Sequence, residues 1–86
     1  MDFEKESEVL KAIAHPVRLK IVKSLLLSEC NVNKMVKALG LPQSTVSQHL
    51  SILKSRGVLV SRKEGTRTCY YVQSSKIKKI IDILNK

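Results

Sequence analysis

Between Pro42 and Leu59 the chain reads PQSTVSQHLSILKSRGVL, a run of hydroxyls and amides followed by two cations. Gln43, Ser44, Thr45, Ser47 and Gln48 can each donate and accept hydrogen bonds, and no acid stands among them. Surface helices usually mix Glu with Lys for solubility and local ion pairs, so this polar face asks for a contact other than water. Small hydroxyls let a helix backbone come close to a polar surface, and a glutamine amide can pair with both hydrogen-bonding atoms of an adenine edge. Gln43 and Gln48 suit that pairing, while Ser44, Thr45 and Ser47 have the reach for phosphates or bases. Lys54 and Arg56, and beyond them Arg62, Lys63 and Arg67, supply cations of the kind a phosphate backbone attracts.

The charge of the whole chain points the same way. Its 86 residues carry a formal net charge of +9, unevenly spread. Residues 1–15 hold four of the seven acids, and none lies between Glu29 and Glu64. That interval contains Lys34, Lys37, Lys54, Arg56, Arg62 and Lys63, a basic stripe that fits a polyanion. A membrane surface fits less well, because the interval lacks the Trp/Phe face of an interfacial helix. No apolar run approaches the ~20 residues of a membrane span. The acidic, polar start MDFEKESEVL is unlike a signal peptide, so a soluble cytoplasmic protein is expected.

Other chemistries are poorly supplied. There is no Gly-rich phosphate loop, no carboxylate pair and no Ser/His/Asp or Cys/His assembly, which argues against an enzyme. His15, just before Pro16, reads as a packing or capping residue. His49 beside the core stripe suits either a phosphate or a helix–helix contact. Cys30 and Cys69 form no CxxC, so two reduced thiols are expected, with a thiol redox role as the alternative. No metal site and no cofactor are expected.

The elements that position these groups follow from periodicity. Residues 3–14 place Phe3, Val9, Leu10 and Ile13 on one side of a first helix. Pro16 opens a second helix, whose apolar residues cover over half its circumference, so it is central and buried. A linker, Ser28 to Val32, leads to a short helix with Asn33 as its cap and Gly40 as its stop. Val46, Leu50 and Leu53, spaced i, i+4 and i+7, form the core stripe of the next helix, which Gly57 ends. Ser44, Gln48, Ser51 and Ser55 then fall opposite. VLVSRK and TRTCYYV form a hairpin turning at Glu64-Gly65. Ser74-Ser75 caps a last helix striped by Ile77, Ile80, Ile81 and Leu84. The order α-α-α-α-β-β-α is a mainly α fold with a β-hairpin, a winged helix-turn-helix in one domain spanning residues 1–86. A chain this size buries only about 60–65% of its unfolded surface and would gain from a partner subunit.

LKAIAHPVRLKIVKSLL and VNKMVKALGLPQSTVSQHLSILKSRGVLVSRKEGTRTCYYV together resemble ArsR/SmtB-type winged-helix repressors over roughly residues 8–73. The match includes Ala14-His15-Pro16-x-Arg18, Gln43 to Leu50, Gly57 and Tyr70-Tyr71. The resemblance implies a homodimer built from the first and last helices (here Phe3, Leu10, Ile13, Ile77, Ile80, Ile81 and Leu84). It also implies binding to double-stranded DNA at an inverted-repeat operator, with recognition helices about 34 Å apart, and release by an effector or redox signal. The family's thiolate site needs Cys-x-Cys where this chain has Asn31-Val32-Asn33, and its other site needs a last-helix histidine, which is lacking after His49. Some members sense oxidant or sulfur species with two cysteines, one near this linker and one in the last helix; Cys69 instead belongs to the hairpin. The competing readings are a winged-helix module for protein or RNA, and a constitutive DNA-binding protein with no effector.

Overall fold

The computed structural model describes residues 1–30 and 32–86. Helix α1 (Phe3–Ile13) is capped by Asp2, whose carboxylate accepts from the Lys5 N–H at 3.1 Å. Glu4 and Glu6 in its first turn complement the positive end of the helix dipole. Helix α2 (Pro16–Leu27) starts with Pro16 where a missing N–H costs nothing, and His15 Nδ1 accepts from the Val17 N–H at 3.1 Å. Ile21, Val22 and Leu25 of α2 are wholly buried, and α2 packs against α1, α3, α4, α5 and the hairpin. It is the central helix that its apolar circumference predicts.

Helix α3 (Val32–Leu39) ends at Gly40, whose φ of 67° is open to glycine without strain. Asn33, expected as the cap, lies inside the first turn of α3 because the helix already begins at Val32; Asn31 lies outside the described residues. Helix α4 (Gln43–Ser55) buries Val46, Leu50 and Leu53 as their spacing requires. At its end the Gly57 N–H bonds to Lys54 O and the Val58 N–H to Leu53 O, with Gly57 at φ 79°. This is a Schellman stop, and it turns the chain directly into the hairpin.

Strands β1 (Leu59–Glu64) and β2 (Arg67–Val72) pair antiparallel from Leu59↔Val72 to Glu64↔Arg67. Glu64 therefore ends the strand, and the loop is Gly65-Thr66, one residue later than the expected Glu64-Gly65. Gly65 takes the first loop position at φ 65°, which a two-residue turn with glycine there demands. Helix α5 (Ser75–Leu84) is capped by the Ser74 hydroxyl, which accepts from the Lys76 N–H at 3.2 Å. One core unites Ala12 and Ile13 of α1, the α2 trio, Met35, the α4 stripe, Val58, Leu59, Ile77 and Ile81.

The cysteines depart from expectation. Cys30 and Cys69 form a disulfide, not two thiols, with Cα atoms 4.3 Å apart. Chain order hid this contact, because the Tyr70 N–H bonds to Glu29 O at 3.0 Å and so draws the linker alongside β2. Among the described residues no helix is long and apolar enough to cross a membrane.

Candidate nucleic-acid interface

Burying Val46, Leu50 and Leu53 forces the opposite side of α4 outward. Ser44, Ser47, Gln48, Ser51 and Ser55 are exposed there, Gln43 is exposed at the first position of the helix, and Thr45 is half-buried. Lys54 is exposed near the end of the helix. Arg62, Lys63 and Arg67 are exposed on the hairpin. The face thus pairs neutral donors and acceptors on a helix with cations on an adjoining wing, and a cleft lined in part by Gln43, Ser47, Arg67 and Thr68 separates the two.

Two candidate contacts are engaged elsewhere. Arg56 Nη1 lies 2.9 Å from Glu8 Oε2, so this guanidinium is held toward α1. His49 Nδ1 accepts from Arg18 Nε at 3.2 Å, and its ring lies 4.9 Å from that of His15. Arg18 also donates through Nη1 to Ala12 O at 3.3 Å. His49 therefore takes part in the α2–α4 contact, one of the two roles its position admitted. Partial burial, then the charges of His15 and Arg18, hold its pKa below the ordinary 6.5. Arg18 escaped sequence reasoning as the residue that joins α1, α2 and α4.

The apolar residues assigned to a subunit contact divide in two. Ile13, Ile77 and Ile81 are buried in the chain's own core, and Ile80 packs against it. Phe3, Leu10 and Leu84 are exposed, as is Ile83. Stripe periodicity alone could not separate these sets, because both lie on the apolar sides of the same two helices.

Around the disulfide the hairpin gathers a polar cluster. By strand alternation and register, Arg62, Glu64, Cys69 and Tyr71 share one face. The Tyr71 hydroxyl donates to the Glu64 carboxylate, which raises the Tyr71 pKa above its ordinary 10.0. The Arg62 guanidinium sits 5.2 Å from the centre of the Tyr71 ring. Cys30 Sγ is 3.6 Å from Glu64 Oε2. Glu64 was read only as a turn residue, and no spacing rule would have linked it to Cys30.

Known proteins share this fold. The family model described as bacterial regulatory protein, arsR family, matches residues 15–61. The transcriptional repressor PagR of Bacillus anthracis is 42% identical over 86 residues, covering 99% of this chain and 86% of its own length. Its crystal structure superposes with a TM-score of 0.86 over 98% of this chain and 97% of that one. HlyU of Vibrio cholerae, named a transcriptional activator, has a structure with TM-score 0.86 at 36% identity, covering 98% of this chain and 94% of its own. A homodimeric winged helix-turn-helix DNA-binding domain from Mycobacterium bovis superposes at TM-score 0.83 and 30% identity, over 96% of this chain and 77% of that one. With its exposed α4 face, its basic wing and a family match over more than half its length, the chain belongs to the arsR family of DNA-binding transcriptional regulators.

Proposed function

We propose that the chain is a cytoplasmic homodimeric repressor that reads an inverted-repeat operator through α4 and lets go in response to a signal. One observation carries the reading: the exposed, acid-free N-terminal half of α4, with Gln43, Ser44, Ser47 and Gln48, beside the cations of the wing. Thr45 belongs to the same end of α4. In a major groove that face would meet base edges, while Lys54, Lys63 and Arg67 would hold phosphates. Phe3, Leu10 and Leu84 would cover one another across a two-fold axis, giving the marginal single chain its second half. The Cys30–Cys69 pair is the element through which a redox signal would act.

Titration with its own upstream DNA and with unrelated duplex tests this reading. Gln48→Ala should narrow the gap between specific and non-specific affinity by about 1–3 kcal/mol. Lys63→Ala should weaken all duplexes alike and lower the salt slope by about one. Equal effects of the two substitutions would overturn the groove assignment. For the redox arm, Cys30→Ser and Cys69→Ser proteins that lose operator affinity with oxidant as readily as wild type would end the idea.

A further inference from the structure

We propose that the cleft between α1, α2 and α4, lined by Glu8, Lys11, Ala12, Arg18, Ile52 and Arg56, binds a small dianion of the phosphate class. Its volume is about 410 Å³, within the range of small-ligand clefts. Three cations face one carboxylate there, which leaves a surplus of two positive charges.

Arg18 is half-buried and is paired with no acid. The ion pairs among the described residues join Lys11 and Arg56 to Glu8 and Lys76 to Glu6, and none reaches Arg18. Its Nε donates to His49 Nδ1 and its Nη1 to Ala12 O, neither of them an anion. Of the five N–H bonds of a guanidinium, the other three have no acceptor among the described residues. The two engaged donors hold the group at the wall of the cleft, so little side-chain freedom is left to lose when an anion arrives.

Glu8 shows what the other two cations accept. Arg56 Nη1 lies 2.9 Å from Glu8 Oε2, and Lys11 Nζ lies 3.7 Å from Glu8 Oε1. The carboxylate is a resident competitor that occupies one donor of each cation and leaves their remaining N–H groups to a ligand. A phosphate entering the cleft would take the open edge of Arg18 and those remaining donors, in the fork geometry that arginine offers.

The cleft is distinct from both surfaces assigned above. On α4, His49, Ile52 and Arg56 are spaced i, i+3 and i+7 and turn toward α1 and α2, whereas Ser44, Gln48, Ser51 and Ser55 face elsewhere. At about 100° per residue, Glu8 and Ala12 fall on nearly the opposite side of α1 from Phe3 and Leu10, so subunits pairing through those residues would leave the cleft open. The phosphate is therefore a free one and not that of a DNA backbone, and the site does not rest on the DNA-binding reading.

The ¹⁵N-labelled full chain would be titrated with inorganic phosphate at mildly alkaline pH, with sodium chloride adjusted to hold ionic strength constant. Saturable amide shifts are expected around Lys11, Arg18 and Arg56, fitting one site per chain. Arg18→Gln should weaken binding by roughly tenfold to a hundredfold, because charge-assisted donors are lost. Lys11→Ala changes an exposed side chain outside the core; it should weaken binding a few-fold, and it carries the test if Arg18→Gln does not fold. Glu8→Gln should tighten binding several-fold, since the resident competitor loses its charge. Shifts that grow without saturation over all the lysine-bearing surfaces, wild-type affinity in Lys11→Ala and Arg18→Gln, or weaker binding in Glu8→Gln would each overturn the site. Short duplex DNA that moves the cleft amides where free phosphate does not would also overturn it, assigning these cations to a DNA backbone.

Discussion

Reduction of the Cys30–Cys69 bond is the perturbation with the largest expected effect on stability. The bond joins residues 39 apart, enclosing α3, α4, β1 and the start of β2. In the chain-entropy account a cross-link lowers the entropy of the unfolded ensemble by 2.1 + 1.5R ln n cal/mol/K. For n of about 40 this is roughly 13 cal/mol/K, or about 4 kcal/mol at room temperature. A domain of this length holds only ~4–13 kcal/mol in total, so reduction removes a large share of it. At ~4–8 °C per kcal/mol, the melting midpoint should fall by about 16–32 °C. Urea denaturation of oxidised and reduced protein at equal chain concentration reads the difference directly. The reduced protein should also show a steeper dependence on urea, because its unfolded chain is less compact. Coincident midpoints for the two forms would refute the chain-entropy account of this bond.

Three further outcomes are expected. The lowered pKa of His49 means that the unfolded chain binds a proton before the folded one does. Stability is then fully present above about pH 6.5 and declines as pH falls below it; His49→Gln, which stays neutral and still accepts from Arg18, should flatten this decline in melts from about pH 7.5 to 5.5. Gly57→Ala should cost about 1–2 kcal/mol in denaturation, because φ is 79° and a Cβ there meets nothing within 4 Å, leaving backbone strain alone. Arg56→Ala should lower stability by no more than ~1 kcal/mol, as its pair with Glu8 is half-exposed, and should change duplex affinity less than Lys54→Ala; equal losses of affinity would place Arg56 at a phosphate.

Local rules carried most of the fold. The i, i+4, i+7 stripe of Val46, Leu50 and Leu53 gave both the core and, by exclusion, the exposed face of α4. Pro16, Gly57 and Ser74 marked element ends through backbone chemistry that needs no tertiary information. The misses are tertiary. Nothing local tells that the linker lies along β2, so neither the Cys30–Cys69 bond nor the approach of Glu64 to Cys30 is legible from spacing. Likewise Arg56 fits a phosphate contact by sequence position alone, and only the packing of α1 across the end of α4 brings Glu8 to it.

The Cys30–Cys69 disulfide closes one end of a unit that is held at both. At the far end, the Schellman stop of α4 hands the chain straight to β1, and the Gln73 N–H bonds to Val58 O at 3.0 Å as β2 leaves the hairpin. At the near end, the linker entering α3 is bonded to β2 by Tyr70–Glu29 and by the cysteines. The α3–α4 pair and the wing are therefore joined twice, which fixes the offset between α4 and the hairpin. The joint at Val58 consists of backbone bonds and buried apolar contacts that no thiol chemistry touches. Under the proposed redox release, reduction of the Cys30–Cys69 bond would free the joint at the entry to α3 while the joint at Val58 remained. On the proposed reading, a redox signal would therefore act by re-aiming the helix-turn-helix against a retained wing, and not by detaching the wing.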